Sequence, residues 1–379
     1  MRNTSQGRVN VTTVKKQNRA AVFEQLVAGR EVTRTELAAR TNLSLGTVAT
    51  VVEELVAEGA AEEGKAESVG VGRRPNLVRL RSEGRRILAF DLSSRDMRYE
   101  VLNLDLASAL NGTHYFDFSA DYETNLRELC TAARERIAAS GISADSIVGI
   151  GVSAPGPYSA QTDTISEAPQ AELSNVRLTE LLAGFFDYPV AIDHDVFLAT
   201  RAEVRRVADY EKKNVFYLYL GEGVGGALAS GGVVYRGARE DAGEVGNLLV
   251  RDGQRLEDLV SWNRVRARFP ELAAAEETWL RSEFARGDSE VRRLILDIAE
   301  AVALAVHNVV WITDPHALVI AGTYQVFGDE FLDVIRDKLS AYLPSYVVNG
   351  LDLVLPLEGT RSATVGAGEM AREQWLNAL

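Results

Sequence analysis

Residues 33–59 read TRTELAARTNLSLGTVATVVEELVAEG, and this stretch sets the architecture of the N-terminal part of the chain. Thr33 stands three residues before Glu36, a capping-box pattern that begins a short helix. A three-residue turn follows, and Ser44 is a favourable N-cap for a longer helix that Gly59 ends. The expected apolar face of this longer helix comprises Leu45, Val48, Val52, Leu55 and Val56. Such an order is the helix-turn-helix plan, in which the second helix enters the major groove of DNA.

The sequence on both sides extends this unit. Apolar residues between Lys16 and Ala28 recur at helical spacing and predict a preceding helix. Residues 60–80, AAEEGKAESVGVGRRPNLVRL, contain two strand-like ends around a Gly-rich basic loop, the pattern of a wing. We therefore predict a winged helix-turn-helix domain over residues 1–86 that binds double-stranded operator DNA; the alternative is a packing module that binds no nucleic acid. The candidate DNA contacts are Arg34, Ser44, Thr47, Thr50, Lys65, Arg73 and Arg74.

Charge is divided unevenly along the 379 residues. Residues 1–86 hold 15 Lys and Arg against 10 Asp and Glu, a charge of +5, whereas the remainder carries −18 of the total of −13. A basic head on an acidic body is expected when only the head meets phosphates. The composition, with a mean hydropathy of −0.07, is that of a soluble globular protein. Neither a signal peptide nor a run of about 18 apolar residues is evident, so we expect a cytoplasmic protein without a membrane partner.

The acidic body contains an internal repeat. Strand-like segments ILAFDL, MRYEVLNL and THYFDF precede a helix near residues 122–139 and the apolar strand IVGIGVSA. The same order returns in NVFYLYL, VGGALA and GVVYRG, a helix near residues 291–311 and ALVIAG. This repeat predicts a duplicated α/β body with a ligand cleft between its halves. We expect the halves to span residues 87–193 and 194–360, with a C-terminal helix over 361–379 joined to the first half.

One hairpin turn in each half would face this cleft, at residues 91–95 and 221–226. Gly-rich turns can hold the phosphates of a nucleotide, but glycines also permit any tight hairpin, so both interpretations stay open here. Cys130 is the only cysteine, which excludes an intramolecular disulfide and a multi-cysteine metal site. Its place on the apolar face of a helix indicates a core residue.

Several segments together resemble the ROK family of bacterial sugar kinases and sugar-responsive repressors. They are NRAAVFEQL, TELAARTNLSLGTV, GRRP, IVGIGVSAPGP, VAIDHDVFLATRAE, LGEGVGG, YRGAREDAGEVGN and DPHALVIAG. The resemblance implies an α/β fold in which a winged helix-turn-helix precedes a duplicated, actin-like ATPase (ribonuclease H-like), two-lobed sugar-kinase body. In this family the repressors carry the DNA-binding head, and the kinases usually lack it.

The resemblance also implies ligand-binding residues. Asp195 matches the aspartate that serves the kinases as the base on a sugar hydroxyl, and we interpret it as a vestige of that position, with no catalytic residue in this chain. His194 stands where the family usually has asparagine. Glu244 and Glu257 match glutamates that bind sugar hydroxyls, and Asn247 replaces a histidine. The alternative is that these carboxylates are ordinary surface or helix-end acids.

Two departures from the family pattern concern metal and phosphate. The family binds a structural zinc through that histidine and a cysteine cluster, whereas Asn247 and the segment RDGQRLEDL offer no such ligands, so we expect no metal. In the phosphate turns, Ser93, Ser94 and Arg95 replace two glycines and a threonine, and Glu222 replaces another threonine. The charge of Glu222 would oppose a phosphate. Both turns therefore favour loss of nucleotide binding.

These features favour a ligand-responsive DNA-binding regulator, expected to repress carbohydrate metabolism, with neither enzyme activity nor a cofactor. Its expected effector is a sugar or sugar derivative. A homodimer or homotetramer is expected because one winged helix buries little DNA surface. Two alternatives remain: an active ATP-dependent sugar kinase with a DNA-binding head, which Asp195 supports, and a regulator whose ligand is not a sugar.

Overall fold

The computed structural model describes residues 11–29, 31–65, 76–117, 119–165, 176–269 and 277–379. The N-terminal unit contains α1 (Val11–Val27), β1 (Val32–Thr33), α2 (Arg34–Thr41), α3 (Leu45–Ala57), β2 (Ala61–Lys65) and β3 (Asn76–Leu80). The three strands form one sheet in the order β1-β3-β2, with both pairs antiparallel. The unit thus joins three helices to a small sheet.

Local sequence signals set the ends of α2 and α3. Thr33 and Glu36 form the predicted capping box, in which each side chain accepts a hydrogen bond from the other residue's backbone N–H. Asn42 ends α2 in the left-handed conformation, with a φ of 55°. The Ser44 side chain then accepts the Thr47 N–H at 3.1 Å and caps α3.

The apolar face of α3 differs from the prediction. Val51 is buried with Val48, Val52 and Leu55, whereas Leu45 is 55% exposed. Val56 is also exposed. The apolar face that the helical periodicity predicts for α3 is wider than the surface that α1 and α2 cover. The first turn of α3 and one edge of this face therefore remain exposed to solvent.

The first half of the body comprises β4 (Arg86–Asp91), β5 (Asp96–Asn103), β6 (Ser108–Tyr115), α4 (Tyr122–Ser140), β7 (Ile147–Ala154), the short pair β8 (Tyr158–Ser159) and β9 (Thr164–Ile165), α5 (Leu178–Ala183) and β10 (Val190–His194). Its main sheet has the order β10-β7-β4-β5-β6. Strands β4, β5 and β6 are antiparallel, while β7 and β10 continue the sheet in parallel. Helix α4 covers one face, where Cys130 is buried in the core.

The second half repeats this topology. It begins with α6 (Asp195–Arg206), and its sheet is formed by β11 (Asn214–Leu220), β12 (Val224–Ser230), β13 (Val233–Tyr235), β16 (Ala317–Gly322) and β17 (Asp352–Val354). The order β13-β12-β11-β16-β17 again has three antiparallel strands followed by two parallel ones. The repeated pattern in the sequence contained four strands per half. The fifth strands, β10 and β17, are short and lack an alternating pattern, which explains why that pattern did not include them.

Helices and a small hairpin complete the second half. They are β14 (Leu249–Arg251), β15 (Gln254–Arg255), α7 (Leu256–Val260), α8 (Trp262–Arg268), α9 (Glu277–Arg286), α10 (Ser289–Thr313), α11 (Asp329–Leu339) and α12 (Ser345–Gly350). Within the described ranges, α10 alone has the length and composition of a membrane-crossing helix. However, 56% of its apolar stretch is buried inside the protein. Packing in the core therefore accounts for its hydropathy.

The last helix, α13 (Ser362–Ala378), lies between the two sheets together with α6. It packs on β4, β7 and β10 of the first sheet, and α6 packs on β11 and β12 of the second. The far end of α13 reaches the N-terminal unit, where Leu376 and Leu104 join its core. All three parts of the chain therefore meet along this pair of helices.

Candidate functional site

A polar cleft of about 220 Å³ lies between the two halves of the body. The turn after β4 contributes Asp91 and Arg95, and the turn after β11 contributes Glu222. The first turn of α6 contributes Asp195. Tyr219 on β11 is partly buried and also lines the cleft. Both hairpin turns marked by the repeat thus face the cleft.

Two nearly buried carboxyl groups line the cleft. Asp91 is 6% exposed, and its Oδ1 accepts the Ser93 N–H at 3.0 Å and the Ser93 hydroxyl at 2.5 Å. Asp195 is 8% exposed, and its Oδ1 accepts the Val196 N–H at 2.6 Å. Burial, followed by the charge of Asp91, raises the pKa of Asp195 well above its ordinary value. The protonated acid is therefore favoured, and such a group can both donate to and accept from a ligand hydroxyl.

His194 lies directly beside Asp195. Its Nε2 is 3.3 Å from Asp195 Oδ1 and 4.0 Å from Glu244 Oε1. Burial lowers the pKa of His194 to about 4, so its ring is neutral at neutral pH. Its Nδ1 is buried and has no hydrogen-bond partner within the protein. A neutral imidazole next to a carboxyl group offers both a donor and an acceptor for polar ligands.

The other predicted ligand residues lie farther from this group. Glu257 Oε2 accepts the Val224 N–H at 3.1 Å, so its carboxylate holds the start of β12. Asn247 is exposed, and its Oδ1 accepts a hydrogen bond from Arg255 Nη1 at 3.4 Å. The structure therefore brings together His194, Asp195 and Glu244, and it places Asn247 at the surface. In the described part of the chain, His, Cys, Asp and Glu side chains form no group of three suited to a metal ion.

Charged side chains that line the cleft occupy the turns that resemble phosphate-binding loops. The Glu222 carboxylate is 8% exposed and forms a hydrogen-bonded ion pair with Arg266 on α8. Arg95 Nε, from the other half, lies 3.8 Å from Glu222 Oε2. The charge of Glu222 is thus neutralised by two arginines of the chain itself. The triad Arg95–Glu222–Arg266 bridges the two halves in the region that the resemblance assigns to a nucleotide's phosphates.

Some residues of the site had no signal in the sequence. Arg266 lies 44 residues from its partner Glu222. Arg236 pairs with Asp193 and lies over the ring of Phe197, with its Cζ 5.0 Å from the centroid, which fixes the strand end that carries His194. No local pattern links these partners, because tertiary packing alone brings them together.

The candidate DNA contacts are distributed around α3. Ser44 and Thr50 are exposed and Thr47 is partly exposed, with the Thr50 hydroxyl donating to the Gly46 carbonyl at 3.2 Å. Lys65 is exposed at the end of β2. Arg34 is engaged by Glu63 at 2.8 Å and Glu53 at 3.3 Å, so it would reach DNA only by leaving these partners. Arg73 and Arg74 lie outside the described residues.

Comparisons with known proteins place this geometry in context. The sequence model of the ROK family matches residues 120–374. A xylose repressor from Caldicellulosiruptor bescii is 25% identical over 373 residues, which cover 87% of this chain and 89% of the repressor. A glucokinase from Halalkalibacterium halodurans is 24% identical over 289 residues, which cover 69% of this chain and 86% of the kinase.

A solved structure shares the fold over nearly the whole chain. It is described as a ROK family transcriptional regulator, a homolog of the E. coli MLC protein, and it superposes with a TM-score of 0.78. The match covers 96% of this chain and 98% of that one at 16% identity. The body therefore has the α/β sugar-kinase-like fold.

Proposed function

Because the chain belongs to the ROK family, we propose that it is a sugar-responsive transcriptional repressor. The observation that carries the proposal is the combination of two parts in one chain. An N-terminal unit of three helices and a hairpin packs on a sugar-kinase-like body, and the turns of this body that resemble phosphate-binding loops contain the triad Arg95–Glu222–Arg266. The similarity to a xylose repressor spans 87% of the chain, which supports the same arrangement of head and body. In this proposal residues 1–86 bind DNA, and the halves 87–193 and 194–360, with the C-terminal helix, bind the effector.

The N-terminal unit is a winged helix-turn-helix in this proposal. The N-terminal end of α3 presents Ser44, Thr47 and Thr50, and Gly46 between them lets the backbone approach the groove. The hairpin of β2 and β3 forms the wing, with Lys65 at its described end. Hydroxyl and basic groups of this kind contact phosphates and base edges.

The effector is a sugar or sugar derivative bound in the cleft at Asp195. His194, Asp195 and Glu244 supply clustered donors and acceptors for vicinal hydroxyls, and Glu257 shapes the neighbouring turn. Buried polar groups that have no partner in the protein, such as His194 Nδ1, favour ligands that complete their hydrogen bonds. D-xylose is the first sugar to test because of the repressor relative.

The chain has no sugar-kinase activity in this proposal. Glu222 and its two arginine partners line the cleft, and a nucleotide whose phosphates bound at these turns would have to separate the buried Glu222 carboxylate from its partly exposed arginines. An ATP-coupled assay with D-xylose, D-glucose and N-acetylmannosamine, run beside a ROK glucokinase as positive control, should show no turnover. A rate of about 1 s⁻¹ or more would establish the kinase instead.

The repressor acts in the cytoplasm as a homodimer or homotetramer on paired half-sites. Exposed apolar side chains on the second half supply a surface for self-association. Leu296, Trp311 and Ile312 of α10 are 44%, 54% and 80% exposed, and Tyr346 of α12 is 72% exposed.

The test of the function measures two affinities with purified protein. A DNA duplex is selected from a random library, and its affinity is measured with and without each sugar that raises the melting temperature. We expect the bound sugar to weaken DNA binding, typically by about 5–150-fold. Asp195→Ala should keep the DNA affinity and lose the response, while Asp145→Ala, at an exposed position of the body, should behave as wild type. Absence of any selected duplex would contradict the proposal.

A further inference from the structure

Helix α6 begins inside the candidate sugar site. Asp195 is its first residue and is almost fully buried in the cleft. Arg205 lies ten residues later, about 15 Å along the helix axis at 1.5 Å per residue. A movement of α6 at the cleft therefore reaches Arg205 directly, because an unbroken helix transmits displacement as a rigid rod.

The backbones of helices α6 and α13 are in direct contact. A Cβ placed on Gly366 of α13 would lie 2.1 Å from the carbonyl oxygen of Leu198 on α6. On the other side of α13, a Cβ on Gly151 of β7 would lie 2.0 Å from the carbonyl oxygen of Ala367. Backbones this close leave no space for α13 to slide past α6 or past β7. Helices α6 and α13 therefore move as one body, together with strand β7.

The far end of this helix pair carries a cluster of charged side chains. We name Arg201, Arg205, Glu369, Arg372 and Glu24 the charge cluster. Glu369, with a side chain only 5% exposed, accepts hydrogen bonds from Arg205 Nη1 at 2.9 Å and Arg201 Nε at 3.3 Å. Arg372 Nη2 lies 3.7 Å from the same carboxylate. A buried carboxylate held by arginines requires its partners in place, since a lost partner leaves a charge unpaired.

The charge cluster also contacts the N-terminal unit. Glu24 on α1 lies 3.8 Å from Arg205 and 3.7 Å from Arg372, and the Arg372 guanidinium lies over the ring of Phe23. Arg19 on the same helix donates to the Leu376 carbonyl of α13 at 2.8 Å and pairs with Glu54 of α3 at 2.8 Å. The N-terminal unit is thus attached to the end of the helix pair that lies away from the cleft.

We propose that α6 and α13 form a rigid lever that transmits occupancy of the cleft to the DNA-binding unit through the charge cluster. The proposal rests on the proposed function, because it requires both a sugar and a DNA ligand. Ligand contacts at Asp195 shift the start of α6, and the charge cluster converts this shift into a new orientation of α1. Since α3 is tied to α1 through Glu54 and the shared core, its angle to the DNA changes with it.

The experiment measures the coupling factor, which is the ratio of the DNA dissociation constants with and without sugar. The sugar is whichever of D-xylose, D-glucose and N-acetylmannosamine gives the largest thermal shift, and the duplex comes from random-library selection. Glu24→Gln removes the ion pairs of α1 with both arginines but leaves the contact between Phe23 and Arg372, and since exposed ion pairs are weak, we expect the coupling factor to fall about two- to fivefold. Glu369→Gln, at the centre of the charge cluster, should bring the factor close to one.

The matched control is Glu31→Gln. Glu31 is 52% exposed, close to the 50% of Glu24, and it also belongs to the N-terminal unit, but its arginine partner Arg79 lies within that unit. This variant loses the same charge and should keep the wild-type coupling factor. Because the side chain of Glu24 is half exposed, Glu24→Gln should fold even if the buried Glu369→Gln does not.

The outcomes distinguish failure of the lever from failure of the proposed function on which it rests. Coupling factors in Glu24→Gln and Glu369→Gln equal to that of wild type, with sugar and DNA affinities intact, would overturn the lever alone. Wild-type protein that binds no tested sugar, or whose DNA affinity ignores the sugar it binds, would overturn the proposed function and the lever with it. A loss of coupling in the control as well would show a general charge effect and would also overturn the lever.

Discussion

His194 lies beside Asp195, which lines the cleft, and burial favours the uncharged form of each. The pKa of His194 falls to about 4, mainly because burial removes water from the imidazolium. The pKa of Asp195 rises, because burial and then the charge of Asp91 oppose its carboxylate. The site therefore presents a neutral imidazole beside a carboxyl group whose protonated form burial favours. These donors and acceptors suit the hydroxyl groups of a polyol.

The lowered pKa of His194 predicts a pH dependence of stability. In the unfolded chain the imidazole takes up a proton near pH 6.5, whereas in the folded chain it does so near pH 4. The contribution of the neutral His194 to the free energy of unfolding is therefore complete above pH 6.5 and is lost as the pH falls to about 4. The shift corresponds to about 3 kcal/mol at most.

Replacing this histidine by asparagine removes that dependence. We expect His194→Asn to gain stability relative to wild type between pH 6.5 and pH 4, as measured by urea unfolding at several pH values. His307→Asn, at a half-buried position of α10, serves as the control and should follow the wild-type curve. A constant difference between His194→Asn and wild type across this range would contradict the assignment of a neutral, buried His194.

At the scale of elements, local sequence signals predicted where helices begin, but they did not predict which side chains the neighbouring elements bury or pair. The capping box at Thr33 and the N-cap at Ser44 are properties of a few adjacent residues, and the structure shows both. The exposure of Leu45 depends on where neighbouring helices end, which periodicity does not contain. The pairing of Glu222 with Arg266 likewise joins two elements 44 residues apart. The sequence therefore indicated the two turns and Asp195, which line the cleft, but not which charges meet there.

The close approach of α13 to α6 predicts a large effect of one methyl group. Alanine has a helix propensity about 1 kcal/mol better than glycine, which alone would make Gly366→Ala stabilising. However, the added Cβ would lie 2.1 Å from the Leu198 carbonyl oxygen, and the backbone there cannot yield as a flexible side chain could. Overpacking of this kind costs about 1–3 kcal/mol. We therefore expect a net loss of stability in thermal or urea unfolding.

Gly46→Ala is the matched comparison within α3. Its nearest neighbour to an added Cβ is Ser44 Oγ at 3.8 Å, so only the propensity remains, and we expect an unchanged or higher melting temperature. If Gly366→Ala were as stable as wild type, the two helices would be less tightly packed than described, and the lever would lose its rigidity.

At the scale of the whole molecule, charge separates the proposed DNA-binding unit from the rest of the chain. Residues 1–86 carry +5 and the remainder −18. A uniformly acidic protein would be repelled by DNA, so binding depends on the orientation of the basic head toward the phosphates. The acidic body should keep non-specific affinity low, because its field opposes any approach other than the productive one.

The division of charge predicts the salt dependence of binding. Each phosphate neutralised by the protein contributes a slope of about −0.9 to a plot of log affinity against log salt concentration. Arg73 and Arg74 stand in the basic return of the wing sequence, between Gly72 and Pro75. The double replacement Arg73→Ala and Arg74→Ala should therefore weaken binding and reduce the slope by about one to two. Arg239→Ala, at an 88% exposed side chain of the body, removes a positive charge away from the head and should leave the slope unchanged. An unchanged slope in the double variant would place the wing away from the phosphates and leave α3 as the main DNA contact.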